Sequence, residues 1–271
     1  MIVTQVYDPK LWDVSFSGTP YATTPKKKGK AQAWANGEVD GRKADVVYNL
    51  GFFDMKNYST VTYVKARGYD IGYGGIADRL TVSSGNVCGG EAKRGLGIRD
   101  NEVLTPSGGD ARSRNGIGIT AQGRIIVAQS TTKVTRRNFC KEVTLQVNQH
   151  WKDTVKLFLL EDGGGSTQYY SRISLLGNAP EGGREVPTVS CFKLKVAPKL
   201  HPMKVGNKGE DVRFLQLILG GLVCDGSYGN QTFKRVKESQ RMLKAVGLYD
   251  GAVDGLCGEK TIAALEKARL R

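Results

Sequence analysis

Residues 155–166 read Val155-Lys156-Leu157-Phe158-Leu159-Leu160-Glu161-Asp162-Gly163-Gly164-Gly165-Ser166. The apolar run that ends at Glu161 is short and is followed by turn residues, which predicts a buried strand. The three glycines let the backbone come close to a ligand, because no Cβ stands in the way. A carboxylate at this junction lies beyond the strand end, where many mixed α/β sheets hold their sites. The alternative is a surface turn that begins with an acid.

Length and composition set broad limits on the fold. With 271 residues, 39% of them hydrophobic, the chain can form one large domain or a medium and a small one. The hydrophobic content argues against wholesale disorder. No stretch approaches the roughly 20 apolar residues that a membrane-spanning helix needs, so no membrane span is expected. Residues 1–5 lack the pattern of a secretory signal peptide, and none is expected.

The chain is strongly basic, with 40 Lys and Arg against 26 Asp and Glu and a net charge of +14. Residues 199–271 carry 13 basic and 8 acidic side chains, a net +5, which leaves +9 for residues 1–198. Such a surplus attracts polyanions, including nucleic acid, teichoic acid and acidic membrane surfaces. Nucleic acid is not an expected partner, because the sequence has no run of basic residues interleaved with aromatic ones.

The cysteines predict buried free thiols. There are five of them, so they cannot all pair within one chain, and none forms a CxxC pair. Cys224 and Cys257 could approach each other, since both lie beside repeated turns. With only two histidines, His150 and His201, a zinc site is not expected. No cofactor can be identified from the sequence, which leaves a divalent cation open.

A segment with two prolines, residues 196–202, separates two kinds of sequence. Before it, glycine-rich turns alternate with short β-like runs at residues 44–48, 117–120 and 124–128. After it, the spacing of apolar residues becomes helical. We therefore predict an α+β domain with a mixed β-sheet and packed helices over residues 1–198, and a small three-helix domain over residues 199–271.

A long helix is predicted from about residue 135 to residue 150. It lies between the β-like run at 124–128 and the strand that ends at Glu161, which indicates a β–α–β passage with Asp162 at its exit. His150, near the helix end, is predicted to be a polar cap or surface residue rather than a catalytic base. One face of the helix is apolar and is formed by Phe139, Val143, Val147 and Trp151.

The C-terminal segment contains an internal repeat. Residues 225–232, Asp-Gly-Ser-Tyr-Gly-Asn-Gln-Thr, recur as residues 254–261, Asp-Gly-Leu-Cys-Gly-Glu-Lys-Thr. Each Asp-Gly pair suits a tight turn that leads into a helix. Apolar spacing predicts three helix faces, formed by Val212, Leu215 and Leu219; by Phe233, Val236, Gln240 and Leu243; and by Ile262 and Leu265.

This repeat, together with Gly-Asn-Lys-Gly-Glu-Asp-Val at 206–212 and Leu215-Gln216, resembles the type 1 peptidoglycan-binding domain over residues 203–268. The resemblance implies a three-helix module that holds an enzyme on the bacterial cell wall. The candidate wall-binding residues are Asp225, Tyr228 and Asp254. The alternative is a helical bundle without this affinity, in which the turns only cap the helices.

Three more motifs stand beside the predicted strands of the first domain. They are Asn49-Leu50-Gly51-Phe52-Phe53-Asp54, then Ser113-Arg114-Asn115-Gly116, and last Gly183-Arg184-Glu185-Val186-Pro187-Thr188 with Gly177-Asn178 ahead of it. In this order around the Asp162–Ser166 turn, they resemble the phosphodiester glycosidase family over residues 44–192. Leu50 and Gly183 depart from the pattern, which usually has a small residue and an acid there.

The family resemblance implies hydrolysis of a sugar-1-phosphodiester between the anomeric carbon and the phosphate oxygen. Guanidinium groups suit the anionic phosphodiester, and a carboxylate could act as nucleophile, base or electrostatic support. The candidate catalytic residues are Asp162, Arg114, Asn49 and Asp54, with Glu161 as a further carboxylate. The candidate substrate-binding residues are Gly163, Gly164, Gly165, Ser166, Asn178, Arg184 and Phe53, and the glycine amides could form an anion-binding nest.

Both resemblances together predict a wall-targeted hydrolase whose partners are peptidoglycan and an anionic wall polymer such as teichoic acid. A wall module without a signal peptide suits a bacteriophage endolysin, which waits in the host cytoplasm for holin-type release and then lyses the wall. One alternative is a peptidoglycan glycan-strand hydrolase. The other is a catalytically inactive wall-binding protein, for which the departures at Leu50 and Gly183 are the indications.

Overall fold

The computed structural model describes residues 2–18, 28–29, 34, 38–39, 42–51, 53–58, 60, 62–66, 68–73, 76–91, 95–130, 132–171, 184–196 and 198–269. The chain divides into two compact units. Unit 1 takes in the described parts of Met1–Ser171 and Ala179–Lys195, and unit 2 takes in those of Val196–Arg271. The domain boundary predicted from the sequence lies at residues 198–199.

Within its described residues, unit 1 contains sixteen strands, which in chain order are β1 (Ile2–Tyr7), β2 (Trp12–Gly18), β3 (Glu38–Val39), β4 (Arg42–Lys43), β5 (Val46–Asn49), β6 (Tyr63–Ala66), β7 (Tyr69–Tyr73), β8 (Ile76–Ser83), β9 (Asn86–Glu91), β10 (Leu96–Arg99), β11 (Glu102–Val103), β12 (Asn115–Thr120), β13 (Ile125–Ser130), β14 (Val155–Glu161), β15 (Tyr169–Ser171) and β16 (Thr188–Leu194). They form a six-stranded sheet in the order β1-β13-β12-β14-β10-β11. Two four-stranded sheets have the orders β15-β5-β16-β2 and β7-β6-β9-β8, and β3 pairs with β4.

The long predicted helix is present as α1 (Arg136–Trp151) and connects β13 to β14. The Thr135 hydroxyl caps its start by accepting a hydrogen bond from the Asn138 amide at 3.3 Å. Lys152, with φ of 52°, ends it, and His150 lies in its last turn as predicted. Its apolar face packs on the six-stranded sheet in a core of Phe139, Cys140, Val143, Val147, Ile98, Ile126, Ala128, Val155, Phe158 and Leu160.

The predicted β–α–β passage is confirmed, with one strand inserted. β13 and β14 run in the same direction, and β12 lies between them, antiparallel to both. The glycines of β12 have a packing reason. A Cβ at Gly116 would lie 2.4 Å from the Phe158 ring, and one at Gly118 would lie 2.4 Å from the Leu157 carbonyl oxygen and 2.8 Å from that ring.

The α+β class is confirmed by the antiparallel sheets of unit 1 and the helices of unit 2. The prediction of a mixed sheet differs in one respect, because every pair of named strands is antiparallel. Antiparallel neighbours arise here because β12 and β13 are joined by a tight turn, whereas α1 returns the chain to the far side of β12.

Unit 2 contains the three predicted helices, α2 (Glu210–Leu219), α3 (Asn230–Ala245) and α4 (Glu259–Arg269). Glu210 and Asp211 lie in the first turn of α2, where the helix dipole favours acidic groups. The predicted apolar faces are buried, except that Phe233 is half-buried. The side chains that fill this small core are Val212, Leu215, Ile218, Leu219, Val236, Leu243, Ile262 and Leu265.

The first Asp-Gly turn of unit 2 is held by a buried glutamine of α2. The Gln216 side-chain oxygen accepts a hydrogen bond from the Gly226 amide at 2.9 Å. Its Nε2 donates to Asp225 Oδ1 at 2.7 Å and to the Thr232 hydroxyl at 3.0 Å. The glutamine thus ties the turn to the start of the following helix.

The second Asp-Gly turn repeats this arrangement with Gln240 of α3. The Gln240 side-chain oxygen accepts from the Gly255 amide at 2.9 Å. Its Nε2 donates to Asp254 Oδ1 at 3.0 Å and to the Thr261 hydroxyl at 3.1 Å. The internal repeat of the sequence is therefore a repeat of one hydrogen-bond network.

The three candidate wall-binding residues lie inside these networks. Asp225 and Asp254 accept from the turn amides of Ser227 at 2.8 Å and Leu256 at 2.9 Å. Tyr228 is 1% exposed, and its hydroxyl donates to the Gly255 carbonyl at 2.8 Å. All three side chains thus hold the turns together, and their role in wall binding stays a prediction.

The predicted free thiols are confirmed. All five cysteines are free and buried, so Cys224 and Cys257 form no disulfide. In the part of the chain that the structure describes, no helix is long and apolar enough to cross a membrane.

Candidate active site

Two strand ends meet at the junction that the sequence predicts as a site. Asn49 ends β5, and its side-chain Nδ2 donates to the Asp162 carbonyl oxygen at 2.8 Å. Asn115, which begins β12, donates from Nδ2 to the Asn49 carbonyl oxygen at 2.7 Å. These bonds join two sheets at the point where the chain leaves β14 and enters the glycine turn.

The Asn49 side chain connects backbone segments at this junction. It is 2% exposed, and its Oδ1 accepts from the Gln168 amide at 3.0 Å while its Nδ2 is bound to Asp162. Both polar atoms of the side chain are therefore engaged with backbone groups. Asn49 fixes the exit of β14 relative to β5, and any effect on a substrate would pass through that positioning.

The glycine turn requires its glycines at two positions. A Cβ on Gly163 would lie 2.4 Å from the Ser113 carbonyl oxygen, and Gly164 has φ of +60°. The Gly164 amide donates to that same Ser113 oxygen at 2.8 Å, and residues 164–166 form a short 3₁₀ turn. The predicted anion nest is thus partly occupied, because the Gly164 amide is already bonded within the protein.

Asp162, Ser166 and Arg184 come together at this turn, as the prediction of a joint site expects. Ser166 is fully buried, and its hydroxyl accepts from Arg184 Nη1 at 3.3 Å. Burial raises the pKa of the half-buried Asp162 carboxyl, while the Ser166 hydroxyl and the positive charge of Arg184 act in the opposite direction. Gly165 packs on Arg184, because a Cβ there would lie 3.4 Å from its guanidinium.

A small cleft of about 60 Å³ opens beside Asp162. It is lined by three arginines together with the end of β14: Arg112, Arg114, Arg136, Leu160, Glu161, Asp162 and Gly163. Asp110 pairs with both Arg112 and Arg114, so the three guanidinium groups face the carboxylates of Asp110 and Asp162 and leave a net positive charge. The cleft is therefore suited to an anion.

Arg114, a predicted catalytic residue, is held firmly within the protein. It is 8% exposed, its Nε donates to the Val134 carbonyl at 3.1 Å, and its Nη2 pairs with Asp110 at 3.2 Å. Burial lowers the pKa of its guanidinium, and the hydrogen bond to Asp110 opposes that effect. Arg114 thus contributes a positioned positive charge, while Arg112 is the more exposed guanidinium of the cleft.

Glu161, the carboxyl next to Asp162, occupies a different environment. It is 4% exposed, and its Oε2 accepts from the Gly51 amide at 2.8 Å. Among the described residues, Oε1 is buried without a hydrogen-bond partner. Burial raises the pKa of Glu161 to about 8, the Gly51 amide opposes this, and the Asp162 charge adds to it. Glu161 is therefore mostly protonated at neutral pH, whereas the arginines around Asp162 favour its charged form.

The other predicted site residues lie elsewhere. Asp54 stabilises its own turn, since Oδ1 accepts from the Lys56 amide at 2.7 Å, and the Phe53 ring stacks on Tyr58 with centroids 5.6 Å apart. Neither residue lines the cleft. Asn178 lies outside the described residues.

Two cleft residues, Arg112 and Arg136, are absent from the sequence prediction. Arg112 stands two positions before Arg114 in an extended segment, so side-chain alternation could have identified it. Arg136 begins α1 and reaches the cleft only because the helix packs beside β14. Within the described residues, no group of three or more His, Cys, Asp or Glu side chains could hold a metal ion.

A wider groove of about 860 Å³ lies on another part of unit 1, beside β2, β16 and the β8–β9 turn. Its charged groups already have partners. Lys193 pairs with Asp45 at 3.0 Å, and Lys195 donates to the Pro9 carbonyl at 2.7 Å. None of the predicted site residues lines this groove, so the arginine cleft is the stronger candidate.

The comparison with known proteins agrees with this fold. No protein-family model matches the chain, and no curated protein sequence matches it. A similar solved structure is the catalytic domain of zebrafish N-acetylglucosamine-1-phosphodiester α-N-acetylglucosaminidase, auto-inhibited by its pro-peptide, with a TM-score of 0.50 and 15% identity over 72% of this chain and 84% of that one. At this identity the likeness concerns the fold alone. A hypothetical protein from Synechocystis has a TM-score of 0.47 and 11% identity over 72% of this chain and 59% of that one.

Proposed function

We propose that the protein is a hydrolase of sugar-1-phosphodiesters and that the cleft beside Asp162 is its active site. One observation carries the proposal: the β14 exit places a carboxylate in a cleft lined by three arginines. The similarity of the fold to a phosphodiester glycosidase supports the same reaction class. In this reading the arginines hold the phosphodiester and Asp162 faces the sugar.

The charges of the cleft suit an anionic substrate. A phosphodiester is permanently negative, and guanidinium groups bind its oxygens with charge-assisted hydrogen bonds. A second ionised carboxylate would repel it, and burial keeps Glu161 mostly neutral near pH 7. Asp162 is thus the ionised carboxylate that lines the cleft, while Asp110, which pairs with Arg112 and Arg114, lies beside it.

The reaction needs little proton donation from the protein. The bond between the anomeric carbon and the phosphate oxygen breaks, and the phosphomonoester leaves with the electron pair. Water supplies the hydroxyl that bonds to the anomeric carbon and gives up one proton. Because the phosphomonoester is a good leaving group, a carboxylate that supports the positive charge at the anomeric carbon is the main requirement, and Asp162 supplies it.

For the substrate we propose an anionic wall glycopolymer such as teichoic acid. The net charge of +14 favours approach to a polyanion. The resemblance of residues 203–268 to a peptidoglycan-binding domain supports a location on the bacterial wall. The arrangement suits a phage endolysin-type lytic enzyme that leaves the host cytoplasm through a holin-type pore.

The test compares three substrates: purified teichoic acid, peptidoglycan freed of it, and a soluble sugar-1-phosphodiester. New phosphomonoesters and new reducing ends are measured, with and without EDTA. The proposal is supported if teichoic acid and the soluble sugar-1-phosphodiester each yield phosphomonoesters and reducing ends in equal amounts, and if Asp162→Asn releases neither product. Reducing ends from bare peptidoglycan alone would indicate a glycan-strand hydrolase. No release from any substrate, with wall sedimentation retained, would indicate a binding protein.

A further inference from the structure

The positive charge of unit 2 is concentrated on one helix. Residues 199–271 have a net charge of +5. The helix α3 has five basic side chains and one acidic one, a net +4, whereas α2 has a net −1 and α4 a net +1. Most of the surplus of this unit therefore belongs to α3.

Four of the α3 basic residues lie on one side of the helix and are called the basic face: Lys234, Lys237, Arg241 and Lys244. Their spacing of three, four and three residues keeps them within one helical stripe, which extends about 15 Å along the axis. Lys237 is half-buried and the other three are exposed. The opposite side of α3 is buried in the unit 2 core through Val236, Gln240 and Leu243.

The basic face has few acidic partners. Glu238, the acid of α3, pairs with Arg235 at 2.9 Å, outside the basic face. Within the described part of the chain, neither Lys234 nor Arg241 forms an ion pair. Asp254 lies close enough for Lys237 to contribute to the lowering of its pKa, after the Leu256 amide and the Gln240 side chain. Among the described residues no member of the basic face forms an ion pair, and the nearby acids are Asp254, beside Lys237, and Glu238, one helical turn from Lys234 and from Arg241.

Two members of the basic face are held in place by packing. The Lys237 ammonium lies 5.4 Å from the centre of the Phe233 ring. A Cβ at Gly255 would lie 2.5 Å from that ring and 2.9 Å from the Lys237 stem, so both side chains rest on the second Asp-Gly turn. The Lys244 ammonium donates to the Gly251 carbonyl at 3.3 Å. Such positioning reduces the conformational entropy that binding would cost.

We propose that the basic face of α3 is the docking surface for a linear polyanion whose charges are phosphodiesters. The affinity for a polyanion rests on the four cations, and the choice of a phosphodiester polymer rests on the proposed function of unit 1. The Asp-Gly turns then serve to hold α3 in position, since their aspartates and Tyr228 are engaged within the protein. The wall affinity of unit 2 is thereby assigned to phosphate-bearing polymer rather than to bare peptidoglycan.

The test uses the full chain with four substitutions, Lys234→Gln, Lys237→Gln, Arg241→Gln and Lys244→Gln. The matched control removes four exposed lysines of unit 2 outside α3 by Lys204→Gln, Lys208→Gln, Lys260→Gln and Lys267→Gln, so both variants have the same net charge. Binding to purified teichoic acid is measured by calorimetry at several salt concentrations, with Asp162→Asn in every chain so that the polymer is not hydrolysed during the titration. Teichoic-acid-free peptidoglycan and duplex DNA serve as comparison ligands, and circular dichroism checks folding.

We expect the basic-face variant to bind teichoic acid at least tenfold more weakly, with a flatter salt dependence, because fewer counterions are released. The control should stay within about threefold of the parent. If both variants lost affinity for teichoic acid equally, net charge rather than the basic face would explain the binding, and the proposal would be overturned. Unchanged affinity in the basic-face variant would also overturn it. Equally tight, equally face-dependent binding of DNA would overturn the choice of polymer.

The outcome is separable from that of the proposed function. Hydrolysis of a soluble sugar-1-phosphodiester should be unchanged in the basic-face variant, because the cleft is not altered. If no substrate is hydrolysed but teichoic acid binding still depends on the basic face, the proposed reaction fails and the docking surface stands. If the sugar-1-phosphodiester is hydrolysed but teichoic acid binding does not depend on the basic face, only the proposed docking surface is overturned.

Discussion

Each unit places an aspartate directly before a glycine and uses it differently. In unit 2, Asp254 accepts the Leu256 amide and a glutamine of α3, and these hydrogen bonds lower its pKa. In unit 1, burial raises the pKa of Asp162, whose partners are Ser166 and Arg184. The same dipeptide thus holds a turn in one unit and faces a cationic cleft in the other. The partners of the carboxylate decide which role it has.

The largest effect is expected from replacing the two aspartates by asparagine. Asp162→Asn should lower turnover of a soluble sugar-1-phosphodiester by about a thousandfold or more, because the variant lacks the negative charge that stabilises the positive charge developing at the anomeric carbon. Asp254→Asn should leave that rate within about twofold and instead lower the thermal unfolding midpoint. Steady-state kinetics and scanning calorimetry measure both. Loss of turnover in both variants would show that the two aspartates do not differ in role.

The next effect concerns the glutamines that hold the unit 2 turns. Gln240→Leu removes the acceptor for the Gly255 amide and the donor to the Thr261 hydroxyl, leaving buried polar groups unsatisfied. We expect unfolding free energy to fall by about 2–4 kcal/mol. Gln216→Leu should cost a similar amount, because its network is the same. Urea titrations of both variants check this, and a loss in only one would contradict the equivalence of the turns.

A glycine in each unit gives a smaller contrast. A Cβ on Gly163 would lie 2.4 Å from the Ser113 oxygen, so Gly163→Ala must displace the glycine turn. We expect a loss of about 1–3 kcal/mol in stability and at least about tenfold in turnover. Gly258→Ala in unit 2 is the control, because no atom lies within 4 Å of its Cβ position. It should cost less than about 1 kcal/mol and leave turnover unchanged.

The last contrast concerns the pH dependence of stability. Burial raises the pKa of Glu161 from its ordinary 4.5 to about 8 in the folded state. Between these values the unfolded chain has lost a proton that the folded protein keeps, so stability falls as pH rises and levels off above about pH 8. The slope is at most about 1.4 kcal/mol per pH unit. Glu161→Gln should remove this fall.

Urea titrations of the parent and Glu161→Gln from pH 5 to pH 9 measure that slope. Glu102→Gln, at an exposed position, is the control and should keep the parent slope. The parent KM for a phosphodiester should also rise a few-fold above about pH 8, when Glu161 ionises beside Asp162. Identical pH profiles for the parent and Glu161→Gln would mean that this carboxyl is not neutral in the folded protein.

Local patterns in the sequence predicted much of the fold. The apolar spacing of α1, the apolar run of β14 and the repeated turns of unit 2 are short-range signals, because each is contained in a few consecutive residues. The odd cysteine number and the absence of a CxxC pair favoured free thiols, but they left a bond between Cys224 and Cys257 open. The strand order was not predictable in this way, since β12 pairs with β14 across the whole of α1.

The candidate site was predictable only in part. The nearness of Asp162, Ser166 and Arg184 agrees with the predicted order of motifs. The environment of each side chain depends on long-range packing, and the buried Glu161 carboxyl accepts its hydrogen bond from the Gly51 amide, 110 residues away. Asp54 bonds within its own turn, which no motif indicates.

The labelling rates of the buried cysteines can report how fast each unit unfolds. Cys88, Cys140 and Cys191 belong to unit 1, and Cys224 and Cys257 belong to unit 2. Burial raises the pKa of Cys140 and of Cys257 to about 12, so the reactive thiolate is scarce in the folded protein. Modification by a thiol reagent then waits for local or global unfolding. Mass spectrometry of the labelled peptides over time would give a separate opening rate for each unit from one sample of unaltered protein.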